Sequence, residues 1–147
     1  MPEQETIERA REDAREGKSP STQAGEFVRE EIHHVREGKH GARSPQQAIA
    51  IGLSKARRAG VNLPPPNGPA ELKKKAEEDE KASKHRRRKP ARNRSRATER
   101  ALKREPRRSA SKSALSRQSK RSAAARGKTA RSRAANKAAH TRKSRSS

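Results

Sequence analysis

Cysteine is absent, tryptophan and tyrosine are absent, and Phe27 is the only aromatic carbocycle in 147 residues. Without cysteine there are no disulfides, no thiolate zinc sites and no thiol nucleophile. Without aromatics there is no platform on which nucleic-acid bases stack. Hydrophobic residues make up 26% of the chain. An ordinary globular domain uses roughly 45–50%, so one core filling all positions is excluded. No apolar run approaches the ~18 residues of a membrane span. No apolar segment of a secretory signal follows Met1, so a cytoplasmic protein is expected.

What is present is charge, unevenly placed. The chain holds 40 Lys/Arg against 17 Asp/Glu, a net of +23. Residues 1–72 hold 11 of each sign, so the whole excess lies in residues 73–147. Apolar residues divide the other way, and beyond Leu72 the only large aliphatics are Leu102 and Leu115.

The first half reads as helices with clear punctuation. A charged helix with a thin face of Ile7, Ala10 and Ala14 ends near Gly17. Ser19-Pro20 offers an N-cap followed by a proline at the first helical position. Val28, Ile32 and Val35 then form an i, i+4, i+7 stripe beside Phe27, with Gly38 at the end. Ser44-Pro45-Gln46-Gln47 repeats that opening with a capping-box glutamine. Ile49, Leu53 and Ala56 form one stripe of the third helix, with Ile49 and Leu53 expected to face the Val28, Ile32 and Val35 stripe, and Ala48, Gly52 and Ala56 form a small-residue stripe open to close helix approach. Gly60 and Pro64-Pro65-Pro66 stop it. The expected fold is mostly α: a helical hairpin of residues 20–37 and 45–59, plus a flanking helix. The expected divisions are 1–18, 19–63, a Pro-rich linker with a Lys/Glu-rich segment at 64–83, and a tail at 84–147.

The tail is low-complexity Arg, Lys, Ser and Ala. Residues 81–147 hold 26 Lys/Arg and only Glu99 and Glu105. High net charge with few apolar groups is the signature of disorder, so the tail is expected to be disordered. Two helical turns over residues 98–104, ended by Pro106, are the one local exception.

The segment Gln47-Ala48-Ile49-Ala50-Ile51-Gly52-Leu53-Ser54-Lys55-Ala56-Arg57, with Glu37-Gly38-Lys39 before it, resembles a bacterial domain of unknown function found in small basic proteins. That resemblance covers roughly residues 19–63 and implies no established chemistry. The tail resembles, in composition, the basic arms of bacterial histone H1-like proteins. It departs from them in being richer in arginine, with 17 Arg to 12 Lys beyond Leu72. Arginine forks onto phosphate readily, which keeps RNA open as a target.

The cationic tail carries the functional expectation. Residues 84–96 hold eight Lys/Arg in thirteen positions. Such density repels itself in water and is relieved on a polyanion, with release of counterions. The expected nucleic-acid contacts are Lys84, Arg86, Arg87, Arg88, Lys89, Arg92, Arg94, Arg96, Arg107, Arg108, Lys120, Arg121, Arg131, Arg133, Arg142 and Lys143. The expected function is sequence-nonspecific DNA binding at the nucleoid, with DNA favoured over RNA. The alternatives are an RNA- or ribosome-associated protein, or an adaptor whose residues 19–60 dimerise or hold a protein partner. A third helix reading bases with Lys55, Arg57 and Arg58 is the sequence-specific rival. Residues 84–89 read as a nuclear localisation signal only in a eukaryote. No membrane partner is expected.

Enzyme motifs are absent, so neither catalytic residues nor cofactors are expected. His33, His34 and His40 invite a metal reading, but adjacent histidines point about 100° apart on a helix. No third ligand has telling spacing, and Glu30-Glu31-Ile32-His33-His34 is not the zincin order. No metal site is expected, and the glutamates are expected on exposed helix faces.

Overall fold

The computed structural model describes residues 2–66, 68–84 and 92–146. Regular structure among them is wholly helical: α1 (Gln4–Arg15), α2 (Pro20–Glu37), α3 (Pro45–Arg58), α4 (Ala70–Lys84), α5 (Arg92–Arg104), a 3-10 turn (Arg108–Ala110) and α6 (Lys112–Arg145). The chain divides into two compact units, Met1–Ser111 and Lys112–Ser147.

The helix starts follow the capping chemistry. Ser19 Oγ accepts the Thr22 amide and Ser44 Oγ accepts the Gln47 amide, each with proline just inside the helix. The Gln47 side chain reaches back one residue further than a capping box does, accepting the Arg43 amide at 2.6 Å. Gly38 closes α2 in the left-handed conformation at φ 78°.

In the first unit α2 packs against both α1 and α3, and α3 also packs against α4. The contact face differs from the expected one. Ile49 and Leu53 are only partly buried, as are Val28 and Ile32. The buried face of α3 is the small-residue stripe Ala48, Gly52 and Ala56. A Cβ on Gly52 would stand 2.6 Å from Val28 Cα and 2.9 Å from Val28 N. The two backbones therefore touch at Gly52, and the larger aliphatics are displaced to the flanks of the contact.

Two small apolar clusters result. Ala10, Ala24, Phe27, Ala56 and Val61 form one, flanked by Ile7, Leu53, Ala59 and Leu63. Val35, Ala42, Ala48 and Ala110 form the other, flanked by Ile32. The first draws in α1 and the second draws in the turn after α5, so the structured core extends beyond the expected hairpin.

The expected disordered tail is not found in the described residues 92–146, which are largely helical. After α5, the chain docks on the α2–α3 connection. The Gly41 amide donates to the Leu102 carbonyl at 2.7 Å and the Ala42 amide to the Pro106 carbonyl at 3.1 Å. Arg36 Nε donates to the Ala110 carbonyl at 2.9 Å, and the Arg107 guanidinium donates to the Arg36 carbonyl. Gly41 is required by contact, since a Cβ there would lie 1.7 Å from the Glu105 carbonyl oxygen. Ser109 and Ala110 are buried by this docking.

The second unit is α6, whose backbone leaves helical geometry at Gly127 (φ 79°, ψ 164°). It is two helical stretches joined at a residue for which that φ carries no Cβ penalty. Composition argued for disorder because it counts burial. It does not count local propensity, and Ala, Arg and Lys are among the strongest helix formers. Nine alanines and twelve Lys/Arg fill most of residues 112–145, and that propensity outweighs the scarcity of apolar contacts.

Candidate functional site

The expected nucleic-acid contacts fall into five groups. Arg86, Arg87, Arg88 and Lys89 lie outside the described residues. Lys84 ends α4 and pairs with Glu80 Oε1 at 3.2 Å. Arg92, Arg94 and Arg96 are exposed on α5, where Arg92, Arg96, Arg100 and Lys103 recur at helical spacing on one side. Arg107 and Arg108 flank the docked turn; both are exposed, but Arg107 is engaged with the Arg36 carbonyl. Lys120, Arg121, Arg131, Arg133, Arg142 and Lys143 are exposed on α6.

Residues 112–145 hold twelve Lys/Arg and no Asp or Glu. At 100° per residue the seven cations of residues 128–145 occupy every side of that stretch rather than one stripe. It spans about 27 Å at 1.5 Å per residue. Its cations are presented in all directions, and its sequence holds no acidic residue.

The cations near the end of α3 are differently placed. Lys55 binds Glu31 Oε1, Arg58 Nε binds Asp79 Oδ1 at 2.7 Å, and Arg57 Nη2 donates to the Pro64 carbonyl at 3.2 Å. These side chains tie the first unit together, which removes support from α3 as a base-reading helix. Asp79 is 2% exposed and holds α4 on α3. It accepts from Ser54 Oγ at 2.6 Å, Arg58 Nε at 2.7 Å and Lys75 Nζ at 2.9 Å. Burial alone would raise its pKa, yet these three donors overcome burial and hold it below the ordinary aspartate value.

The expectation of solvent-facing glutamates fails at Glu30 and Glu31, which are 5% and 1% exposed on α2. Glu30 Oε1 accepts the Glu3 amide at 2.7 Å. His34 Nε2 lies 3.1 Å from Glu3 Oε1 and 3.8 Å from Glu30 Oε1. Hydrogen bonds from His34 and Lys39 hold the Glu3 carboxyl below its usual range. His40, in the α2–α3 connection, points back so that Nε2 lies 3.1 Å from Glu31 Oε2. The sequence offered a faint trace of this cluster: Glu31 and His34 are i, i+3 on one face. The return of His40 depends on the path of the connection, which periodicity does not encode.

Residues 17–67, about a third of the chain, match the sequence profile of a family of unknown function (DUF6496). The match spans α2, α3 and the connection between them, the segment that holds Glu31, His34 and His40. No curated protein and no solved structure matches the chain. Among the described residues, no helix is long and apolar enough to cross a membrane.

Proposed function

We propose that this protein binds nucleic acid without sequence preference, with DNA favoured and the nucleoid as its place of action. The supporting observation is α6: twelve cations on two helical stretches whose sequence contains no acid. Phosphate neutralisation supplies affinity and positioning without regard to sequence, and residues 112–145 hold no aromatic side chain on which bases would stack. The exposed cations of α5 extend the same chemistry within the first unit. Residues 17–67 serve as the packed platform that anchors the basic segments, and they are the part through which a second copy or a protein partner would attach.

Salt dependence of duplex binding tests this reading. With about ten phosphates contacted at once, log K falls against log salt with a slope near −9. Deleting residues 112–147 removes twelve of the 26 Lys/Arg beyond Glu80, and the slope should drop to about half. Arg57→Ala should change little. Convergence of a random-duplex selection on one motif would overturn the proposal, and tighter binding to structured RNA than to duplex DNA would transfer it to RNA.

A further inference from the structure

We infer that Glu31, His34 and His40 form a binding site for a divalent transition-metal ion of the zinc class, separate from the nucleic-acid surface. One donor atom from each residue lies within 4.8 Å of the others. Glu31 Oε2 and His40 Nε2 are 3.1 Å apart, and His34 Nδ1 is 3.9 Å from Glu31 Oε1. Adjacent ligands on a tetrahedral zinc ion with bonds of 2.0–2.1 Å stand about 3.3 Å apart. One pair is therefore already at ligand spacing, and modest ring rotation of the two histidines brings in the third.

The orientation of the two rings supports the same assignment. His40 Nδ1 lies 2.9 Å from the Gly41 carbonyl oxygen, which only accepts, so Nδ1 carries a proton. In the neutral ring Nε2 then offers a lone pair, and it faces a carboxylate oxygen. A metal ion between these two acceptors would be bound by both. His34 presents Nε2 to Glu3, the carboxylate–histidine arrangement that orients a ligating ring. Its Nδ1 is left on the Glu31 side.

The carboxylate itself is the second, independent sign. Glu31 Oε2 is buried and accepts no hydrogen bond of good geometry, as does Glu30 Oε2. Lys55 satisfies the other Glu31 oxygen. A buried carboxylate oxygen without a donor is costly, and a metal ion supplies the missing partner. A cleft of about 270 Å³ lined by Glu3, Thr6, Glu30, His34 and Lys39, among others, lies beside His34; neither Glu31 nor His40 lines it. The two histidines and one carboxylate suit zinc-class ions better than calcium or magnesium, which take oxygen ligands. Bound there, the ion would fasten the α2–α3 connection to α2, a staple for a unit whose apolar clusters are small.

The test is titration of the full chain with zinc chloride, followed by ring ¹H–¹⁵N correlation of the histidines. One equivalent should shift His34 and His40 while His33 and His140 keep their resonances. His40→Ala and Glu31→Gln should each weaken zinc binding at least tenfold by competition with a chromophoric chelator, and His33→Ala should leave it unchanged. Because the ring shifts are read on the unaltered protein, unfolding of a variant does not blur the result. No zinc binding, or shifts confined to His33 and His140, would overturn the inference. Both readouts are independent of DNA affinity, so the site and the nucleic-acid reading stand or fall separately.

Discussion

The first unit and α6 are both helical, but for different reasons. In residues 1–72 the charges balance and are matched across elements: Arg9 with Glu26 at 2.9 Å, Lys18 with Asp13 at 2.6 Å, Lys55 with Glu31. The helices there are held by contact, with Gly52 and Gly41 allowing backbones to meet. The sequence of residues 112–145 contains no Asp or Glu, and nearly all side chains of α6 face solvent. Its helix rests on alanine, arginine and lysine propensity. Charge pairs between elements help to hold the first unit, whereas α6 forms with cations alone.

The largest expected break in this contrast is at Gly52. Gly52→Ala gains intrinsic helix propensity, about 1 kcal/mol, yet its methyl must enter the space of Val28 backbone atoms. Backbone cannot rotate away as a side chain can, so α2 and α3 must separate. A net loss of roughly 1–3 kcal/mol is expected, a large share of the stability of so small a unit. Thermal melting by circular dichroism should show the first unit melting earlier while the contribution of α6 is unchanged. A parallel loss from α6 would mean that the two units are not held by different forces.

A smaller and more local effect is expected at Gly41. The methyl of Gly41→Ala would collide with the Glu105 carbonyl and displace the 105–110 segment. The α2–α3 pair should survive, because the second cluster loses only Ala110 from its buried members. Limited trypsin digestion should cut faster at Arg107 and Arg108, with little change in the main melting transition. An unaltered cleavage rate would show that the docking seen between Gly41 and Leu102 does not protect this segment.

How much of this was legible in the sequence follows from what each signal measures. Ser19-Pro20, Ser44-Pro45 and Gly38 are local chemistry, and the structure uses each as a helix boundary. The small-residue stripe announced close approach, but the aliphatic stripe was read as the contact itself. Hydrophobicity ranks Ile49 above Gly52, whereas distance between backbones ranks them the other way. Net charge speaks to burial and says nothing of alanine-rich propensity, so it does not reveal α6. The burial of Glu31 and Asp79 is not legible in the sequence, because a charged residue is buried only when partners converge on it. Those partners (Lys55 and His40, Ser54 and Arg58) lie 9 to 25 positions away, beyond the reach of any periodic pattern.

Asp79 gives the finest test of the contrast, because it asks whether one matched charge fastens a whole helix. Its folded pKa lies below the ordinary aspartate value. For a depressed carboxyl, the stabilisation is present above the unfolded pKa, near 3.9, and is lost as pH falls through the folded value. Protonation removes the negative charge that Arg58 and Lys75 bind, and α4 should then loosen from α3. Asp79→Asn removes the same charge at every pH. At pH 6 this variant should be less stable than the parent by about 1–3 kcal/mol, the usual worth of hydrogen bonds to a charged group. The gap should narrow below pH 4 and close once the parent aspartate is protonated. Other carboxylates, Glu3 among them, titrate in both proteins, so the difference between the two melting curves isolates Asp79. Amide exchange at Ala76, buried on the same helix, reports the docking directly. A gap that stayed constant from pH 6 to pH 2 would mean that shape and not charge holds α4 in place.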